Sequence, residues 1–275
     1  MAKQKNITLI LASGAPSVES YQSAVQDRSL FDISITREAL QNVQIIDMKN
    51  EGNKNYNVLS EELISKLENC IEQKKQAILF MNRRGYFPFL LCRQCGEIIK
   101  CRNCSISLVY HDFDKKLHCH RCGFSSLSSF TCPNCLGSSI KFLGSGTQKI
   151  ESEIASYFPK AKILRIDKDS VTDKKYWETI IEMFMEGKAD ILIGTQMILK
   201  ALDYKNIYLL GVVSADNSLN IPDFRASENT FQILSGICGF SGRHKPPENV
   251  IIQTYNPEHY SIKNIQENNY RDFYE

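Results

Sequence analysis

The sequence predicts an α/β protein whose parallel sheet carries helices on both faces and is interrupted by a small cysteine-rich insertion. Two observations carry this reading. After residue 135 the chain alternates short apolar runs with helical stretches of about 10–15 residues, the pattern of successive βαβ units. Ahead of that point, eight of the ten cysteines crowd into four CxxC pairs between Cys92 and Cys135. At 275 residues and 43% apolar composition, the chain is long enough to bury a full α/β core plus an appendage.

Residues 6–12, NITLILA, read as a strand end followed by the turn-like SGAPS, which suggests the tail of a domain whose earlier part lies outside this sequence. Residues 26–56 are mixed and polar around VQIIDM and read as a connector with little core of its own. Ser60 then stands as an N-cap ahead of Glu61 and Glu62, with Leu63, Ile64, Leu67 and Ile71 at helical spacing. QAILFMN follows as a buried strand. Beyond the cysteines, IKFLG, AKILRID, DILIGT, NIYLLGVVSAD and NVIIQTY read as strands, and TQKIESEIASYF, YWETIIEMFMEG and SENTFQILSGI as helices. The expected division is therefore 1–25, 26–91, 92–135 and 136–275, with the second and fourth segments forming one α/β domain. No internal repeat or low-complexity tract interrupts it.

No stretch has the roughly 18 uncharged apolar residues of a membrane span, and the apolar part of MAKQKNITLILAS is too short for a secretory signal. The cytoplasm is the expected compartment, with no membrane partner. The formal net charge of +2 does not argue for a polyanionic partner. Eight thiolates holding two divalent ions would move that balance to −2, so any nucleic-acid contact must rest on local patches.

The pairs are Cys92 with Cys95, Cys101 with Cys104, Cys119 with Cys122, and Cys132 with Cys135. A CxxC turn presents two sulfurs to one side at the reach of a tetrahedral zinc ion, so four such turns complete two sites. Two structural zinc ions per chain are expected, with iron–sulfur as the alternative because thiolates alone do not choose the metal. Disulfides do not persist in the cytosol, and a redox CxxC usually comes singly. Gly96, Gly123 and Gly137 lie one or two residues after the second cysteine of three pairs, where a tight turn aiming N–H groups at sulfur favours glycine. His118 and His120 flank Cys119 but are surplus to eight thiolates. Cys70 and Cys238 read as small buried hydrophobes. A nested arrangement is sensible because a hairpin-like SISLVYHDFDKKLH separates the two inner pairs; pairing of adjacent CxxC turns remains open.

FMNRRGY, the four CxxC pairs, GSGTQ, RIDKDS, DILIGTQMILK and PDFRASENTFQ, taken in this order, make the chain resemble the PriA family of replication-restart helicases, the primosomal N-prime proteins. The resemblance runs from LASGAPSVES to QTYNPEHYSI. It implies a superfamily 2, ATP-dependent 3′-to-5′ DNA helicase that binds stalled forks in replication restart and primosome assembly. It also implies a RecA-like sheet, with 1–25 the remnant of helicase lobe 1, 26–91 the connector and start of lobe 2, 92–135 the two-zinc insertion, and 136–275 the rest of lobe 2. ATP with magnesium would lie between two such lobes in a complete enzyme. DNA, primosome proteins and single-strand-binding proteins are the implied partners. By the same resemblance Cys92, Cys95, Cys132 and Cys135 share one zinc, and Cys101, Cys104, Cys119 and Cys122 the other.

The 275 residues contain no GxxxxGK[ST] and no DEEH-like acidic box, which such phosphoryl transfer needs, so the chain is expected to be inactive alone. Ser13-Gly14-Ala15 stands where the family has Ser-Ala-Thr, and Lys200-Ala201 where it has Lys-Gly. In LSGICGFSGR, Gly236 and Phe240 replace a glutamine and an arginine, leaving Arg243 as the remnant of a γ-phosphate clamp, or as a loop arginine without catalytic duty. NRRGYF sets Arg83 and Arg84 beside aromatics, a pattern suited to single-stranded DNA. GTQM places Thr195 and Gln196 at a strand end, where backbone N–H groups can meet DNA phosphates. NRRGYF stands against the plainer reading of a strand end with solvated arginines. The alternative to a helicase part is a non-catalytic zinc module that binds single-stranded DNA or a replication protein.

Overall fold

In the computed structural model, the chain is described for residues 8, 10–33, 43–51, 58–82, 89–111, 113–127, 131–143, 146–167, 174–198, 207–221, 223–238, 247–267 and 269–275. With strands numbered along the chain, six form one all-parallel sheet in the order β1 (Val43–Asp47), β11 (Asn249–Thr254), β10 (Ile207–Val212), β2 (Gln76–Phe80), β9 (Ile191–Gly194) and β8 (Ile163–Ile166). A pleated strand turns successive side chains to opposite faces, so the sheet feeds two cores. On one face α2 (Glu61–Glu72) and α3 (Thr147–Tyr157) bury Leu63, Leu67, Ile150 and Ile154 against Ala77, Leu79, Ile191, Ile193 and Leu209. On the other, α4 (Lys174–Met185), α6 (Ala226–Ile237) and α7 (Tyr260–Glu267) bury Phe184, Phe231, Leu234 and Ile262 against Ile78, Phe80, Leu192, Leu210 and Ile252. Each such side chain contributes roughly 1.5–3 kcal/mol relative to exposure.

The expected α2 cap is present: Ser60 Oγ accepts from Leu63 N at 3.2 Å. The Ser60 N–H in turn donates to Gln253 Oε1 at 2.7 Å, and Gln253 Nε2 donates to the carbonyls of Val58 and Val213. This fully buried glutamine thus ties a helix start to two strand ends with its hydrogen-bonding capacity met.

Three expectations change. The segment read as connector contains β1, an edge strand only partly buried because β11 alone pairs with it. Among the described residues of the NITLILA segment no strand forms, and Ile10 and Leu11 are exposed. The chain then enters α1 (Val18–Gln26), where Val18 N donates to Glu228 Oε1 on α6 and Tyr21 packs on Tyr270 and Tyr274 of α8 (Tyr270–Tyr274). IKFLG is β7 (Ile140–Leu143) and belongs to a second, antiparallel sheet, in the order β6 (Ser125–Leu127), β5 (Lys116–His118), β4 (Val109–His111), β3 (Phe89–Cys92), β7. That sheet therefore reaches beyond residues 92–135 on both sides. No described helix is long and apolar enough to cross a membrane.

All four CxxC turns are built alike. The N–H four residues after the first cysteine returns to that cysteine's carbonyl, at Gly96, Ser105, Gly123 and Leu136. Those four residues are the left-handed ones, with φ of +78°, +56°, +73° and +59°. Leu136, not Gly137, therefore holds the fourth such position. At Gly96 a second demand is added, since a Cβ there would stand 2.8 Å from the carbonyl oxygen of Tyr255, whereas at Gly123 it would meet nothing within 4 Å. Both Gly96→Ala and Gly123→Ala should cost about 1–2 kcal/mol from the left-handed backbone. Gly96→Ala should lose more, because a backbone carbonyl cannot yield as a side-chain tip can. Denaturation midpoints of the two variants check this; equal midpoints would contradict the packing of this turn on Tyr255.

Candidate metal centre and strand-end site

The eight paired cysteines gather into two sets of four, Cys92, Cys95, Cys132 and Cys135, and Cys101, Cys104, Cys119 and Cys122, with all sulfurs of a set within 4.8 Å of one another. The nested order holds because β3 and β7 pair antiparallel from Phe89–Leu143 to Cys92–Ile140, bringing the ends of the insertion together. The inner set is closed by the β4–β5 hairpin. Sulfur contacts are 3.6 Å for Cys92–Cys135, Cys95–Cys132 and Cys101–Cys122, and 3.3 Å for Cys104–Cys119. Those separations exclude disulfide bonds, which need about 2.05 Å. They approach the separation of about 3.8 Å expected for sulfurs each about 2.3 Å from a tetrahedral zinc. The donor chemistry and geometry therefore fit the metal.

The sulfurs differ in readiness to ionise. Burial pushes the Cys92 thiol up to about 12. At Cys95 burial is outweighed by the Glu97 N–H and the neighbouring sulfurs, which bring the thiol down to about 7. In the inner set the Cys119 sulfur helps push Cys104 up to about 12. Cys119 itself falls to about 6, as the N–H groups of Cys122 and Arg121 outweigh burial. Metal binding requires the thiolate form, so each set releases protons as it takes an ion. Cys70 and Cys238 are buried away from both sets, as expected, and burial pushes each up to about 12.

A second cluster lies at the carboxyl edge of the parallel sheet, where ligands of open α/β sheets bind. Asn82 follows β2, Thr195 and Gln196 follow β9, and Ser218 sits in α5 (Asp216–Leu219) after β10. Gln196 Nε2 donates to Asn82 Oδ1 at 3.0 Å, and Asn82 Nδ2 donates to Ser218 Oγ. Neutral amides and a hydroxyl in this arrangement suit polar recognition better than acid–base chemistry. Thr195 is buried, its N–H donating to Ile166 O at 3.3 Å. Gly194 permits that approach, because a Cβ there would lie 2.8 Å from the Ile166 carbonyl oxygen.

Two motifs interlock beside it: Thr147 of GSGTQ donates to Asp167 of RIDKDS, which also pairs with Arg165 at 3.4 Å. On the far side Asp216 accepts from Thr254 Oγ1 and Tyr255 N, at 3.1 and 3.0 Å. Burial raises its carboxyl to about 6. Tyr255 packs with Phe89, Leu91 and Ile98, seating the insertion on this edge. Asn82, Ser218 and Asp216 were not singled out from the sequence; the available signal was a polar residue just beyond each apolar strand. Arg83, Arg84, Lys200, Ala201, Phe240 and Arg243 lie outside the described residues.

Residues 101–126 match the family model described as the PriA DNA helicase Cys-rich region (CRR) domain. The whole chain is 42% identical over 278 aligned residues to the replication restart protein PriA of Bacillus subtilis, covering 100% of this chain and 34% of that protein. It is 36% identical to the PriA of Borreliella burgdorferi, covering 100% of this chain and 41% of that one. The PriA of Synechocystis is 37% identical over 99% of this chain and 34% of its own length. Among solved structures, S. cerevisiae Dbp5 bound to RNA and ADP BeF3 reaches a TM-score of 0.42 at 12% identity, over 98% of this chain and 50% of that one, a likeness too distant to bear on function. With its full length aligned to these relatives and its cysteine segment matching their Cys-rich region, the chain belongs to the PriA replication restart family, of whose members it spans about a third.

Proposed function

We propose that this chain forms the second RecA-like lobe and two-zinc insertion of a replication-restart DNA helicase and binds single-stranded DNA along the carboxyl edge of its parallel sheet. The observation that carries the reading is the 42% identity across the whole chain to a replication restart protein, in a molecule whose eight paired cysteines gather into two four-sulfur sets. Each set holds one structural zinc, since thiolate coordination supplies the folding energy that a segment with few large apolar groups lacks. Gln196 is bonded to Asn82, which Arg83 and Arg84 directly follow in sequence, so phosphate contacts and stacking aromatics would start from one anchored point. In a complete enzyme, ATP with magnesium would face this lobe and Arg243 would reach the γ-phosphate. Stalled forks, primosome proteins and single-strand-binding proteins are the proposed partners, in the cytoplasm.

Elemental analysis of purified protein should find two zinc ions per chain; zero, one, or a coloured iron-bearing preparation would refute the metal assignment. The chain alone should show no DNA-stimulated ATP hydrolysis, because its sequence carries no triphosphate loop. Turnover that copurifies with the protein and vanishes in Arg243→Ala would overturn that.

DNA binding is tested by fluorescence anisotropy with a labelled single strand across a salt series. Arg83→Ala with Arg84→Ala should weaken binding and flatten the salt slope by about 1.4 for two lost phosphate contacts. A suitable control is Lys160→Ala with Lys162→Ala, two exposed lysines at the amino end of β8. Lys75 is a poor control: its ammonium pairs with Glu248 at 3.0 Å and lies 4.2 Å from the Tyr208 ring centre, rather than being freely solvated. Equal losses from both arginine and control pairs would leave only diffuse charge attraction and favour the reading of a zinc module that binds a replication protein.

A further inference from the structure

The β4–β5 hairpin and the turn after it gather three histidines beyond the inner sulfur set. His111 Nε2 and His120 Nε2 stand 3.0 Å apart, with ring planes inclined at 31°. The His118 ring lies edge-on to His111, 4.7 Å between centres, and is itself held by Asp114 Oδ2 at 2.7 Å.

We propose that His111 and His120 form a third metal site, distinct from the two cysteine sets, which takes a borderline divalent ion such as zinc, nickel or cobalt through two imidazole nitrogens. Imidazole is the ligand class that suits these ions. Two nitrogens each about 2.0–2.1 Å from a shared ion stand about 2.9–3.4 Å apart between octahedral and tetrahedral geometry, which brackets the observed spacing. Both positions are fixed by the backbone. His111 sits in the register of β4 opposite Lys116, and His120 follows Cys119, whose N–H donates to Phe124 O at 2.8 Å while its carbonyl accepts from Gly123 N. The His118 ring, held by Asp114, packs edge-on against the His111 ring and restricts its rotation. His120 is exposed, so water completes the coordination and the ion exchanges readily; the thiolate sets fill first.

Protein with its tight ions counted by elemental analysis is titrated calorimetrically with zinc chloride. One further, weaker equivalent is expected, lost in His111→Gln and in His120→Gln. Glutamine preserves a hydrogen bond but is a poor zinc ligand, and retention of the tight ions shows that each variant is folded. No added equivalent in the parent chain, as for a pair that is only hydrogen-bonded, would overturn the proposal. So would an equivalent that survives both substitutions. The tight ions and the added one are counted separately, so failure of the cysteine assignment and failure of this one are told apart.

Discussion

Where the chain leaves the parallel sheet after β2 and where it returns before α3, strands β3 and β7 run antiparallel in continuous register from Phe89–Leu143 to Cys92–Ile140. This pairing lets some fifty residues be inserted between neighbouring elements of an α/β sheet without disturbing it, since the ends of a long loop are held together by their own ladder instead of by the sheet. The parallel strands on either side of β2 stay paired with it, β9 in continuous register and β10 with a single shift between Ile207 and Leu209. The same neck determines which sulfurs can meet. Cys92 lies opposite the returning chain, so the first and last CxxC turns close on each other and the middle two are left to the hairpin.

Inside the insertion cysteines make up half of the buried core. Leu90, Leu108, Leu117 and Ile140 are buried among Cys92, Cys101, Cys119 and Cys132, with Ile99, Ile106, Tyr110 and Phe124 packed at the margin. A segment this small rarely folds on hydrophobic burial alone, which is why a bound ion is the physical completion of the arrangement. The parallel sheet has the opposite character, with a separate apolar core on each face.

Residues of α5 contact groups on both sides of the junction. Asp216 at its start holds Tyr255, whose carbonyl and ring meet the first CxxC turn, and Ser218 two residues later holds Asn82, which in turn receives Gln196. One short helix thus anchors both the seat of the metal-bearing turn and the amide chain at the strand ends. A shift of α5 would be felt at both places, because buried polar contacts of this kind are costly to leave unmade.

The helices α2, α3, α4 and α6, the strands β2, β8, β9, β10 and β11, and the eight-cysteine metal reading were legible from residues alone. Each rests on a local signal: a capping serine, a 3.6-residue apolar period, an uninterrupted β-branched run, or the CxxC spacing. The nested sulfur pairing was legible only as one of two possibilities, because a CxxC turn specifies its own two sulfurs and says nothing of its partner. Four things needed the tertiary structure: β1 as an edge strand, β7 as part of the other sheet, Leu136 in a left-handed turn position, and the Asn82–Gln196–Ser218 cluster. Sheet membership depends on a partner strand far away in sequence, and a polar contact at strand ends depends on which strands become neighbours. Neither is encoded within the few residues that make each element, so only the assembled sheet order decided them.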